Sequence, residues 1–279
     1  MTEHDELRLL DGIAILDPKL TELLHALDQT FSDWGFENGA QAICPPPVYR
    51  TSDLAKFDVY VNFPHLSFVA GPLDASPESQ SKSGSFSPAQ IQTADLGLPT
   101  ATCFGAYLFL EDRQVPDETL ITLVNRCFRH EDHYDGLRRL LSFQMREIVA
   151  VGSYQHAREH LEKFGEKVTA FAENVDISLD KLVAHDPFFE RSGARSRMQE
   201  LQAVKHEFQS DGLAIASVNM HRNFFGERCN IRTGDGAVAF TSCVAFGLER
   251  WLSVLVDRHG TAAKATDRVL DAARVTVRQ

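Results

Sequence analysis

The sequence predicts an α+β fold, an antiparallel β-sheet flanked by helices. Three observations predict it. LLSFQMREIVAVGS and FTSCVAF carry the alternation and the β-branched and aromatic content of half-buried strands. Segments 17–34 and 154–175 instead repeat apolar residues at helical spacing. The strand-like segments come in runs with long helices interspersed, rather than in regular βαβ alternation, which points to an antiparallel sheet. With 279 residues, 43% of them hydrophobic, the chain can bury a sizeable core. No internal repeat or clear linker divides it, so one domain over 1–279 is expected.

In chain order, Asp17 is placed to N-cap the first helix, with Pro18 in its first turn. Leu20, Leu23, Leu24, Leu27, Phe31 and Trp34 form its apolar stripe, and Gly35 is the expected stop. GAQAICPPPVYR is β-compatible until its three prolines halt any ladder. Residues 75–88, ASPESQSKSGSFSP, hold six serines and few anchoring side chains, and read as a mobile surface loop. LPTATCFGAYLFLE at 98–111 reads as a strand. Ser153 N-caps a second long helix whose stripe is Ala157, Leu161, Phe164, Val168 and Phe171. IRTGDGAVAFTSCVAF is expected to turn as a hairpin at Gly234-Asp235-Gly236. It runs into LERWLSVLVDRHG, a helix that Gly260 terminates.

Several function classes are excluded or disfavoured. Lysine and arginine number 28 against 39 acids, a net charge of −11, which is a poor balance for a protein whose main partner is a polyphosphate. The start, MTEHDELRLLDG, lacks the basic and apolar regions of a secretory signal, and no apolar run approaches a membrane span. The five cysteines are odd in number, dispersed and without CxxC spacing, so a reducing, cytoplasmic setting is expected. HEDH at 130–133 puts its histidines three apart rather than four, GDGAVAF lacks a third glycine, and neither a P-loop nor a GxSxG elbow occurs. Any ATP must be bound without a P-loop.

One constellation remains. In NRCFRHEDHYDGLRRLLSFQMREIVAV, at 125–151, two strand-like segments flank a polar loop. Arg129 and Glu131 alternate on one face of the first, and Phe143 and Glu147 lie four apart on one face of the second. A guanidinium, two carboxylates and a ring on one surface suit a phosphate, an adenine and an amino group. On spacing alone, a charged surface hairpin laced with ion pairs explains the same residues.

FRHE, a loop and then RLLSFQMREIV resemble motif 2 of the class II aminoacyl-tRNA synthetases, the seryl branch above all. FTSCVAFGLERWLSVLV resembles motif 3, and the first helix followed by GFENGAQAICPPPVY resembles motif 1, the dimer-forming element. The order is that of the class II catalytic core, with motif 1 at about 17–50, motif 2 at about 125–151 and motif 3 at about 237–258. The resemblance implies that Arg129 holds the α-phosphate of ATP, that Glu131 takes the adenine amino group, and that Phe143 and Arg250 sandwich the ring. It also implies zinc. Singly, Cys103 and Cys243 read as small buried apolar residues and Glu147 as a solvated charge. Two thiolates and a carboxylate on separate predicted strands nonetheless leave zinc one open position. Zinc-dependent seryl-tRNA synthetases and the amino acid:[carrier protein] ligases carry such a Cys-Glu-Cys set at these motif positions, where the open position takes the amino group of the substrate. Cys127 reads as core, and Cys229 is left open between core and site.

The carrier-protein ligases are the nearer resemblance, over about 17–260 and including HDPFF at 185–189, QAVKHEF and FFGE at 224–227. No coiled coil or basic appended domain for tRNA is apparent. The resemblance implies activation of glycine or alanine with ATP and Mg2+, transfer to the phosphopantetheine thiol of an acidic carrier protein, and a homodimer. SVNMHRNFFGERC departs from the family pattern: Met220 and Cys229 replace aromatics, and Ala214 stands where a magnesium-binding acid is sought. Ser217, Asn219 and His221 are the expected participants from this segment. Arg158, Lys163 and Lys167 make the second long helix a candidate docking face for the carrier protein. Two other readings are a repurposed synthetase paralogue with a binding or regulatory role, and a minimal synthetase acting on tRNA.

Overall fold

The computed structural model describes residues 7–75, 84–184 and 205–276. A seven-stranded sheet in the order β3-β7-β8-β12-β11-β10-β9 forms its spine. The strands are β3 (Gln41–Ala42), β7 (Glu118–Phe128), β8 (Ser142–Gly152), β9 (Asp180–Val183), β10 (Lys205–Ser210), β11 (Leu213–Arg222) and β12 (Phe240–Gly247). All neighbours are antiparallel except β3, which runs parallel to β7. A hairpin, β1 (Leu7–Leu10) and β2 (Ile13–Leu16), stands at the N-terminus. A small sheet of β4 (Tyr49–Arg50), β6 (Leu96–Leu98) and β5 (Phe68–Ala70) lies apart.

The helices are α1 (Pro18–Glu37), α2 (Thr51–Ala55), α3 (Val59–Asn62), α4 (Phe104–Phe109), α5 (Tyr154–Asn174), α6 (Phe224–Arg228), α7 (Leu248–His259) and α8 (Ala262–Thr276). Period-two side-chain alternation divides the protein into two packed layers. Ile148 of β8, Ala216 and Val218 of β11, and Val244 and Phe246 of β12 face α1, α5, α7 and α8. There Phe31, Trp34, Phe171 and Trp251 make an aromatic core. Val149, Val151 and Cys243 face the other way, towards Tyr49, Phe57, Tyr107 and Phe225. That second face also carries Glu147, Ser217 and Asn219.

The caps are where the sequence places them. The Asp17 side chain accepts from the Leu20 amide, Ser153 from that of His156, and Gly260 ends α7 in the left-handed region. Gly35 is not a stop. The helix runs on to Glu37, and Gly35 is buried where an added Cβ would meet Thr122 Cβ at 3.1 Å, so it is small for packing. Termination falls to Asn38 and to Gly39, whose φ is 81°. Residues 98–111 are not a strand: β6 ends at Leu98 and α4 follows. Cys103, Tyr107 and Leu110 are buried at i, i+4 and i+7, a helical period hidden in the apolar run 103–110. The Gly234–Gly236 turn forms, but only bridges hold its arms. The serine-rich segment expected to be a loop falls largely on residues 76–83, outside the described residues.

His160 of α5 gives a stability prediction. Its Nδ1 lies 3.0 Å from Ser242 Oγ, and burial pushes its pKa down to about 3. A base whose folded pKa lies below its unfolded one stabilises above the unfolded value and loses that contribution as pH falls. Relative to His160→Phe, the wild type should therefore lose about 1.4 kcal/mol per pH unit below pH ~6.5. Denaturant unfolding of both proteins at pH 7 and pH 5 measures it, and a pH-independent difference would rule the contribution out.

Candidate active site

Two adjoining cavities open on the second face of the sheet, and Arg129, Met145, Lys205, Ser217 and Ala245 line both. The narrower one collects Arg129, Glu131, Phe143, Ser217 and Arg250. Arg129 is not on β7, which ends at Phe128. The chain there leaves the ladder, with the His130 amide turning to Leu66 O, so Arg129 and Glu131 sit at the start of the loop rather than on one strand face. Arg129 donates from Nε and Nη2 to Thr100 O at 3.2 and 3.0 Å, and its guanidinium lies 5.1 Å from the Phe143 ring centre. Arg250 donates to Arg138 O and Ala214 O, both at 2.9 Å. Burial, with Arg129 and Arg139 nearby, lowers its pKa to about 10, which leaves it charged at neutral pH. Glu131 is paired with Arg139. Glu249, which accepts the Gln144 amide through both oxygens, is pushed up to about 7 by burial.

The wider cavity, about 480 Å³, reaches Cys103, Glu147 and Cys243. Their ligand atoms all lie within 4.8 Å of one another and all three residues are buried. Cross-strand register puts two of them together: Glu147 pairs with Ala245 and Val149 with Cys243, so Glu147 and Cys243 are diagonal neighbours on one face. Cys103 comes from above, at the cap of α4. The Thr102 and Cys103 amides both donate to Glu147 Oε1 at 3.1 Å, while Oε2 is buried with no partner.

All three groups are shifted towards holding protons. The hydrogen bond to Cys243, then burial and the neighbouring Glu147, push the Cys103 thiol well up. Burial pushes Glu147 up. For Cys243 the hydrogen bond from Cys103 pulls down, but burial and Glu147 prevail and the net direction is up. Three acidic groups are buried together at one end of the cavity, and one carboxylate oxygen lacks a partner. A divalent cation with sulfur and oxygen ligands fits both features.

No protein-family model matches the chain. In overall shape it is similar to Methanopyrus kandleri seryl-tRNA synthetase, solved with Aquifex aeolicus tRNASec. The TM-score is 0.77 at 19% identity, over 94% of this chain and 58% of that one. In sequence it is 26% identical over 245 residues to a type-2 serine–tRNA ligase of M. kandleri, covering 81% of this chain and 44% of the relative. An amino acid–[acyl-carrier-protein] ligase of Bradyrhizobium diazoefficiens is 31% identical over 244 residues, or 82% of this chain and 74% of the relative. The chain belongs to the amino acid–[acyl-carrier-protein] ligase family. Its fold is the class II synthetase core, and it is a ligase.

The ligase brings every predicted site residue to these two cavities. Asn219 belongs to the wider one alone, its Nδ2 lying 3.4 Å from Cys243 Sγ and 3.2 Å from Ser217 Oγ. Cys127 is core, beside Thr102 Oγ1, and burial raises its thiol to about 12. Cys229, left open by the sequence, is also core, at 1% exposure. HDPFF at 185–189 lies outside the described residues. On α5, Lys167 is already paired with Glu37 of α1 and Arg158 with Glu162, while Lys163 is exposed. Sequence reasoning missed Lys205, which lines both cavities and pairs across the sheet with Asn219. Among the described residues, no helix is long and apolar enough to cross a membrane.

Proposed function

We propose that this ligase activates glycine or alanine with ATP as the aminoacyl adenylate and passes the acyl group to the phosphopantetheine thiol of a carrier protein. The observation that carries the reading is the junction of the two cavities at Arg129, with Glu131, Phe143 and Arg250 on one side and the buried Cys103-Glu147-Cys243 set on the other. In the first step the amino acid carboxylate attacks the α-phosphorus in line and pyrophosphate leaves. Such a step needs positioning and positive charge more than acid–base chemistry. Arg129, tethered through Thr100, supplies that charge at the junction. Glu131 takes the adenine amino group, Phe143 and Arg250 hold the ring, and Ser217 lies between the two ends. Magnesium enters with the triphosphate and is held chiefly by phosphate oxygens and water.

Cys103, Glu147 and Cys243 would hold zinc, which when bound supplies a Lewis-acidic position for the amino group and lowers its pKa. In the second step the pantetheine thiolate attacks the acyl carbonyl and AMP leaves. The wider cavity exceeds what glycine or alanine fills, and we assign the remainder to the pantetheine arm. An amine requirement set at the metal end then discriminates more sharply than side-chain volume, since one methylene is worth only about 1–3 kcal/mol. The motif 1 resemblance supports a homodimer, and the net charge of −11 is a poor balance for a polyphosphate such as tRNA as acceptor.

The test is amino-acid-dependent ATP–pyrophosphate exchange across the twenty amino acids, on protein of known metal content and with Cys103→Ala beside it. Exchange confined to glycine or alanine and lost in the variant is the expected result. Zinc-loaded, folded protein that exchanges with none of them would overturn the reading and favour a repurposed paralogue. Acylation of tRNA but not of a pantetheinylated carrier protein would overturn the choice of acceptor.

A further inference from the structure

We propose that His221, held by Tyr107, is a positioning residue that donates a hydrogen bond to the Cys243 sulfur and thereby fixes this thiolate for its metal. The inference rests on zinc being held at Cys103, Glu147 and Cys243.

The backbone is built to deliver this imidazole. On β11 and β12, Asn219 pairs with Cys243 and Met220 with Ser242, but the next pair is Arg222 with Thr241. His221 is therefore an extra residue, a bulge in β11. Bulges bend a strand and re-aim a side chain, and they recur beside functional sites. Arg222, which follows, has a φ of 56°, a left-handed conformation that a non-glycine residue adopts at a cost. In regular register His221 would face Thr241, already diagonal to Cys243 on the same face, and the bulge shifts it along that face. With the bulge its Nε2 lies 3.7 Å from Cys243 Sγ, within reach of a hydrogen bond to sulfur.

The ring is fixed from its other side. Nδ1 lies 3.1 Å from the Tyr107 hydroxyl. Tyr107 is wholly buried, and its ring stacks on Phe225 at 4.0 Å and 14°, which leaves the hydroxyl little freedom. Phe225 also meets the imidazole edge-on at 5.0 Å. When the Tyr107 hydroxyl donates to Nδ1, the proton of the neutral ring sits on Nε2 and faces the sulfur. With the Asn219 amide at 3.4 Å, Cys243 Sγ then has two nitrogen donors aimed at it. A buried thiolate so bonded is stabilised and oriented, and outer partners of this kind typically carry about 10–100-fold of metal affinity.

The experiment uses Zn2+ and Co2+ themselves. Wild type, His221→Leu, His221→Gln and Tyr107→Phe are titrated against a chromogenic chelator, and the cobalt forms are compared by absorption spectroscopy. Zinc affinity should fall by about 10–100-fold in His221→Leu, with a shifted thiolate-to-cobalt charge-transfer band. The amide of His221→Gln should restore most of the affinity. Tyr107→Phe, which removes only a hydroxyl, should move affinity and band in the same direction as His221→Leu by a smaller amount, and it guards against a folding defect in the histidine variants. Affinity within twofold of wild type in both His221→Leu and Tyr107→Phe, with an unmoved band, would overturn the proposal. So would a His221→Leu spectrum showing loss of a nitrogen ligand, since His221 would then bind the metal directly. Wild-type protein that takes up neither metal refutes the zinc reading itself, an outcome distinct from a metal-binding wild type whose variants behave identically.

Discussion

Glu147→Gln is expected to abolish zinc retention and to lower amino-acid-dependent pyrophosphate exchange by at least about a hundredfold, while leaving the fold intact. The substitution keeps the size of the side chain and an oxygen for the Thr102 and Cys103 amides, which both bond to Oε1. What it removes is the negative charge and the second carboxylate oxygen, Oε2, the buried atom without a partner. Its effect on stability should invert with metal. In metal-free protein burial raises the Glu147 pKa, so the carboxyl destabilises the fold as pH rises above its unfolded value near 4.5. Metal-free Glu147→Gln should therefore melt higher than metal-free wild type at pH 8. With zinc the order should reverse, because only the wild type gains the linkage free energy of a tightly held ion. Thermal melts with zinc and with chelator measure both signs. A variant that melts with the wild type under both conditions would mean that Glu147 is neither a ligand nor an electrostatic burden.

Much of this fold was legible because its signals are local. Asp17 and Ser153 cap helices through bonds spanning three residues, and the stripes of α1 and α5 recur every turn. The helix within 98–111 was not legible, since helix and strand periods cannot be told apart in the short apolar run 103–110. Gly35 misled for a related reason: a glycine needed for close approach to Thr122 is written no differently from one that ends a helix. In the site, the chemistry of Arg129, Phe143 and Glu147 could be read from residue type and spacing, but spacing alone allowed a surface hairpin. Family resemblance decided between them. That Cys103 meets Cys243 depends on α4 crossing the sheet, and no local pattern encodes that crossing. That His221 shares a face with Ser217 and Asn219 follows from strand alternation, but the bulge that sets its distance to Cys243 is a mismatch between two strands, and neither strand displays it alone.

Arg129→Ala is expected to lower kcat for adenylate formation by about a thousandfold, roughly 4 kcal/mol of transition-state stabilisation. The guanidinium stands where the two cavities meet, and in the proposed reaction it would face the carboxylate, the α-phosphate and the leaving pyrophosphate together. The charge it meets is redistributed in the transition state, which places most of its worth there rather than in ground-state binding. ATP affinity, followed by equilibrium binding, should accordingly fall much less than kcat. The fold should be little affected: Arg129 contributes bonds to one carbonyl and a contact with one ring, at a partly buried position. Its removal also relieves Arg250, whose pKa it helps to depress. Arg129→Lys keeps the charge but cannot bond Thr100 O in the same two-pronged way, so it should recover only part of the rate. A variant that keeps kcat within tenfold while ATP affinity collapses would assign Arg129 to nucleotide binding alone, and the charge at the reacting phosphorus would then have to come from Lys205, the other cation lining both cavities.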